Sequence, residues 1–137
     1  MEVIFKGVNE GKTTEAMKLA AAYGGNVLFA SNEMSELGMV RKFFGVVEEN
    51  EFQDGEITFL SANSAVAVLE AIDGMEEELL TVGERVDLVV LDMNFGIMHS
   101  EWFDLATDLE KMGFAVVVTQ QLARAKSVDG KTPVVKR

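Results

Sequence analysis

Cysteine is absent from the 137 residues, which excludes a disulfide framework and a thiolate metal site and removes any argument for an oxidising compartment. Proline occurs once, at Pro133, where it argues against a central strand near the C-terminus. Histidine also occurs once, at His99, and with no second ligand of its kind it reads as a helix-entry residue rather than a metal ligand. No apolar run approaches the roughly 18 residues of a membrane span. The opening MEVIFKGVNEGKTT puts a lysine and a glycine-rich turn where a signal peptide needs its apolar stretch. These absences predict a soluble, unexported, cytoplasmic protein with no membrane partner. Internal repeats and low-complexity segments are also missing.

Basic residues are few, 12 against 23 acids, for a net charge of −11. That balance argues against phosphate-backbone binding by the chain as a whole, but its distribution is uneven. Arg124, Lys126, Lys131, Lys136 and Arg137 fall in the last fourteen positions with Asp129 as the one acid, so that segment is net +4 and the remainder −15. Such asymmetry suits a basic arm that touches a phosphate backbone or an acidic neighbouring subunit; a solvated terminus is the plain alternative.

With 48% hydrophobic residues, the chain can bury one ordinary core and little more, which predicts a single domain. Short β-rich runs at residues 3–5, 26–30, 57–60, 86–91 and 114–119 alternate with helix-like stretches at 12–23, 35–44, 63–81 and 100–112. Gly24-Gly25 stops the first of these helices and Gly113 the last. The alternation predicts an α/β fold: a central, mostly parallel five-stranded sheet with helices on both faces. Residues 1–122 form the core of this reading and 123–137 a basic C-terminal tail or loop. Residues 48–56, EENEFQDGE, carry too many carboxylates to be buried and read as a surface loop.

Between the first strand and its Ala-rich helix stands Lys6-Gly7-Val8-Asn9-Glu10-Gly11-Lys12-Thr13-Thr14. Glycines there let backbone N–H groups curl round a polyphosphate, the helix N-terminus adds positive potential, and Lys12 reaches the outer phosphates. Thr13 supplies a hydroxyl to Mg²⁺. The usual loop has glycine where Lys6 stands, with Gly7 one position later, so the loop is tighter or opened differently. A strand-to-helix turn whose glycines merely permit the bend is the alternative.

Ligands of open parallel sheets bind beyond the carboxyl ends of the strands, which directs attention to three polar strand ends. Residues 86–92 run VDLVVLD, and Asp92 after so apolar a run is the expected Mg²⁺-holding aspartate, or else a solvated residue that ends the strand or caps a turn. Residues 26–34, NVLFASNEM, carry Glu33 past the strand end, a candidate general base or water-orienting carboxylate for attack on a γ-phosphate, or else an acid in a turn ahead of a helix. Residues 115–121 end in Gln120-Gln121, of which Gln121 is a candidate γ-phosphate sensor or a plain surface amide. Trp102, Phe103, Leu105 and Leu109 recur at helical spacing and read as a core face rather than a base-stacking platform. Residues 95–98, Phe-Gly-Ile-Met, read equally as a nucleic-acid loop or a subunit contact.

In this order the segments VLFASNEM (27–34), VDLVVLD (86–92) and VTQQLAR (118–124) resemble the RecA-like ATPase core of DnaB-type replicative helicases, over roughly residues 3–124. The resemblance implies ATP and Mg²⁺ as ligands, Glu33 as the catalytic glutamate, Gln121 as the γ-phosphate sensor and a homo-oligomer of hexamer or filament type. It also implies single-stranded DNA at residues 94–101 and 125–137, with other replication or recombination proteins as partners. The altered loop, the early end and the lack of a preceding primase-recruiting domain make a stripped-down, phage-type ATPase the better match than a complete helicase. Two rivals remain: a nucleotide-binding regulator without turnover, and a nucleoside-type small-molecule kinase. The kinase would need a lid carrying arginines, whereas only Arg41 and Arg85 fall between Lys12 and Lys111.

Overall fold

Parallel neighbours cannot be joined by a tight hairpin and need a crossover, most often helical; each crossover in this chain carries one. A computed structural model describes residues 1–6, 11–92, 100–121, 123–125 and 134–136. Strands β1 (Glu2–Lys6), β2 (Gly25–Ser31), β3 (Gly55–Ser61), β4 (Leu88–Asp92) and β5 (Ala115–Gln121) are joined through helices α1 (Lys12–Tyr23), α2 (Glu36–Val46), α3 (Ala65–Leu80) and α4 (Ser100–Lys111). The sheet order is β1-β5-β4-β2-β3, and every pairing in it is parallel. The five strand runs and four helices read from the sequence are all present within a few residues.

Helices cover both faces, so the central strands are apolar throughout instead of alternating with polar residues. On one face Leu28, Ala30, Val89, Leu91, Val116 and Val118 pack against α3 and α4 through Val68, Ile72, Trp102, Leu105 and Leu109. On the other, Val27, Phe29, Leu88, Val90 and Val117 meet Ala16, Met17 and Ala20 of α1 and Met39 and Phe43 of α2. Local chemistry sets the helix starts. Ser35 Oγ accepts from Gly38 N at 3.0 Å ahead of α2, and Ser64 Oγ from Ala67 N at 3.2 Å ahead of α3.

Three details differ from the sequence reading. β4 begins at Leu88 rather than at residue 86, because Asp87 is committed to a clamp in which its carboxylate accepts from Asn26 N at 2.8 Å and its own N–H donates to Asn26 O at 2.8 Å. Phe103 is 41% exposed while Trp102, Leu105 and Leu109 are buried; the stripe 102, 105, 106, 109 follows the helical period and Phe103 falls beside it. The segment expected to be tail or loop contains a second, two-stranded antiparallel sheet, β6 (Ala123–Ala125) with β7 (Val134–Lys136).

At the amino edge of the sheet, β2 and β3 start in register with Gly25 opposite Gly55. A Cβ on Gly55 would fall inside the van der Waals envelope of the Gly25 carbonyl oxygen, and the Gly55 φ of 141° disfavours a side chain as well. Gly55→Ala is therefore expected to lower stability by roughly 2–3 kcal/mol in urea denaturation. An unchanged midpoint would show that the two strands can separate there without loss.

Candidate active site

A row of polar side chains closes the apolar face that packs against α1. Ser31 is in register with Asp92, and Asp92 with Thr119. Each follows by two residues a core side chain of that face, Phe29, Val90 and Val117 respectively, and side chains two apart on a strand share a face. The row thus points toward α1, whose first two residues, Lys12 and Thr13, are themselves buried.

Asp92 is the centre of the arrangement. Its Oδ1 accepts from Thr119 Oγ1 at 2.7 Å, Thr13 Oγ1 at 3.2 Å and Lys12 Nζ at 3.3 Å. Its Oδ2 accepts from Thr13 Oγ1 at 3.0 Å and Ser31 Oγ at 3.2 Å. The carboxylate side chain has no exposed surface, and a buried charge of this kind requires both donors and a countercharge. Both are supplied. Because a hydroxyl that donates to a carboxylate keeps its own lone pairs, Thr13 Oγ1 and the Asp92 carboxylate together form an oxygen pair suited to a hard divalent cation.

Lys12 Nζ also lies 3.3 Å from Glu33 Oε2, so a single ammonium bridges a buried carboxylate and a partly exposed one. Glu33 N donates to Ser31 Oγ at 3.1 Å, which ties the turn carrying Glu33 to the hydroxyl that also holds Asp92. Helix α2 has Ser35 as its N-cap and Glu36 as the acid of its first turn. Glu33 precedes that cap, and its carboxylate is directed to Lys12.

The start of α1 differs from those of α2 and α3. Its N-cap is Gly11, in the left-handed region at φ 81°, and no side chain caps it. A Cβ there would meet nothing closer than 3.8 Å, so the dihedral, not space, favours glycine. The first N–H groups of a helix point out of its positive end; in α1 the Glu15 N–H already donates to Gly11 O at 3.0 Å, so Lys12, Thr13 and Thr14 carry the ones directed there. On the sheet, β2 is followed by α2 and the adjacent β4 by α4, helices packed on opposite faces; ligands of open parallel sheets bind at such a reversal, and Glu33 follows the first of these strands while Asp92 ends the second.

The structure therefore brings Lys12, Thr13, Glu33 and Asp92 together. Thr14 lies in the first turn of α1, half-buried. Lys6 is the last residue of β1, in register with Gln121, so the atypical loop position belongs to the strand and the connection proper is residues 7–11. Gly7, Val8, Asn9 and Glu10 lie outside the described residues, as do residues 93–99 with His99, and Lys126, Lys131 and Arg137. Gln121 ends β5, Arg124 is in β6 and Lys136 in β7; their side chains lie outside the described set. Among the described residues no cluster of three or more His, Cys, Asp or Glu forms a metal site, and no helix is long and apolar enough to cross a membrane.

Ser31 and Thr119 were not singled out in the sequence. Ser31 is the last residue of β2, whereas Thr119 stands two residues before the end of β5, so only the register, not the strand ends, sets both beside Asp92.

No protein-family model matches the chain, and no curated protein matches it.

Proposed function

We propose that this chain is a RecA-like P-loop protein that binds and hydrolyses Mg-ATP, acts with single-stranded DNA in replication or recombination, and works as a homo-oligomer. The observation that carries the reading is the meeting of Lys12, Thr13 and Asp92 at the uncapped start of α1, on the carboxyl edge of a parallel sheet. The first N–H groups of α1, at the positive end of its dipole, and a lysine suit a phosphate chain. The Thr13 and Asp92 oxygens suit Mg²⁺, which when bound neutralises phosphate charge.

In this reading the chain's own groups divide the work. Lys12 turns from its two carboxylates to the phosphate oxygens. Glu33, freed from Lys12, orients the attacking water and accepts its proton at the carboxylate. Ser31 and Thr119 keep Asp92 from rotating, so its oxygens stay aimed at the Thr13 hydroxyl. DNA enters the proposal through the basic β6–β7 segment, which follows β5 directly, and through the resemblance of the motifs to DnaB-type cores; ATP over other nucleotides rests on that resemblance alone. The nucleoside-kinase reading draws no support from Arg85, which stacks on Phe114 at the opposite edge of the sheet, 5.3 Å from the ring centroid.

The test is Mg-ATP turnover with and without single-stranded DNA across a salt series. Turnover is expected to rise with DNA, and the rise to shrink as salt screens the phosphate contacts. A rate indifferent to DNA would remove the DNA part of the proposal. Nucleotide binding without turnover under every condition would favour the regulator, a reading to which the engagement of Glu33 by Lys12 already lends itself.

A further inference from the structure

Charge is spread unevenly over this molecule. Residues 43–84 contain eleven acids and no lysine, arginine or histidine, while the other twelve acids are balanced by all twelve bases. The whole net charge of −11 therefore resides on the end of α2, the β3 edge of the sheet and α3. Within that region an aromatic groove of about 900 Å³ opens where α2 ends, lined by Phe43, Phe44, Val47, Glu48, Glu49 and Phe52. Phe43 is buried, with its ring centroid 5.8 Å from Phe44, 5.4 Å from Phe52 and 5.6 Å from Phe59. Phe44 is nevertheless 76% exposed. A large aromatic ring left in water beside a run of acids is the composition of a binding surface, not of an ordinary exterior.

Hydrogen bonds fix the acidic rim. Around the 3-10 turn Glu49–Glu51, Glu48 N donates to Glu51 Oε1 at 2.9 Å and Glu51 N to Glu48 O at 2.9 Å. Gln53 N donates to Ala21 O at 2.9 Å, which ties the turn to α1. Lys18 pairs with Glu51 at 4.0 Å. Glu48, Glu49, Asp54 and Glu56 are exposed and form no ion pair among the described residues.

We infer that this groove docks a basic, amphipathic segment of a different protein, with a large apolar side chain entering the groove and lysine or arginine on either side of it meeting the acids. The aromatic lining supplies an anchor that acids alone would not. The sign of the rim excludes other occupants, since it repels nucleic acid and anionic lipid surfaces. A second copy would present the same acidic region, and like charges brought together across an interface oppose association. A rim already held by its own hydrogen bonds needs little further ordering on binding. The inference uses neither Lys12 nor Asp92 and does not depend on the nucleotide reading.

Fluorescence anisotropy with the full chain tests it. The probe is a labelled peptide of about 15 residues in which leucine and phenylalanine recur at helical spacing among lysines. Two control peptides replace the apolar residues by serine, or the lysines by glutamate. The first peptide is expected to bind, less tightly as salt rises, and each control at least about tenfold more weakly. Phe44→Ser should lose the same factor, and Glu48→Gln/Glu49→Gln should flatten the salt dependence. Leu80→Ser removes an equally exposed side chain, also at 76%, from a helix on the opposite face of the sheet and should change nothing. Phe44 is exposed, so its substitution leaves the core intact, which circular dichroism checks. Equal binding of the serine control would reduce the surface to charge attraction and overturn the inference. Wild-type affinity in Phe44→Ser, or no binding of the first peptide, would overturn it as well. In sedimentation velocity Phe44→Ser should keep the assembly state of the wild type; a loss of association would make the groove a contact between copies and overturn the inference too.

Discussion

Replacing Lys12 by alanine is expected to lower Mg-ATP turnover by about 10²–10³-fold, the usual cost of removing one charged donor from a developing phosphate charge. The same change should also weaken the nucleotide-free protein, for a separate reason. Lys12 is the cation against an Asp92 side chain with no exposed surface, and removing one member of a buried pair costs about 3 kcal/mol or more. The three hydroxyls of Thr13, Ser31 and Thr119 remain, so the loss should fall at the lower end of that range. Chemical denaturation and turnover must therefore be read together. Adding Asp92→Asn to Lys12→Ala removes the unpaired charge and should restore much of the stability while leaving turnover absent. A Lys12→Ala protein with wild-type turnover would end the P-loop reading.

Glu33→Gln separates binding from chemistry. The amide keeps the size of the side chain but cannot accept a proton from water, so turnover should fall by roughly 10²–10⁴-fold. Nucleotide affinity should hold or tighten slightly, because one of the two carboxylates competing with phosphate for Lys12 has been neutralised. Isothermal titration against single-turnover hydrolysis distinguishes the two effects. Parallel losses of affinity and turnover would make Glu33 a partner of Lys12 rather than the group that handles the water. Unchanged turnover would make it a surface acid in the turn ahead of α2.

Much of this arrangement was legible because the determinants are local. The stretches AVVV (115–118) and LVVL (88–91) are apolar throughout for the physical reason that helices cover both faces of their sheet, and glycines 24, 25 and 113 mark where helices must stop. Asp92 stood out because a carboxylate closes an otherwise apolar run, and its burial excludes the plain alternative of a solvated strand end. Lys12 and Thr13 follow from their place between a strand and an Ala-rich helix. The order of strands was not legible, since nothing local to β1 tells it to pair with β5 rather than β4. Ser31 and Thr119 were hidden for the same reason: a serine or threonine at or near a strand end is unremarkable until the register sets both against Asp92. The β6–β7 pair escaped because three-residue strands leave no periodicity to read, and Phe103 misled because its position is one residue off the buried stripe.

The strand order has a consequence for how the molecule comes into being. Among the described strands β1 pairs with β5 alone, with Glu2 opposite Val117 and Lys6 opposite Gln121. On the ribosome the earliest of these five strands must wait for the last, while β2, which neighbours both β3 and β4, can begin to associate with them without it. Contacts between such distant stretches of chain form slowly. The segment that leads into Lys12 is therefore seated at the end of folding, and a nascent chain lacking β5 would hold a partial sheet with no place for the strand that begins the site.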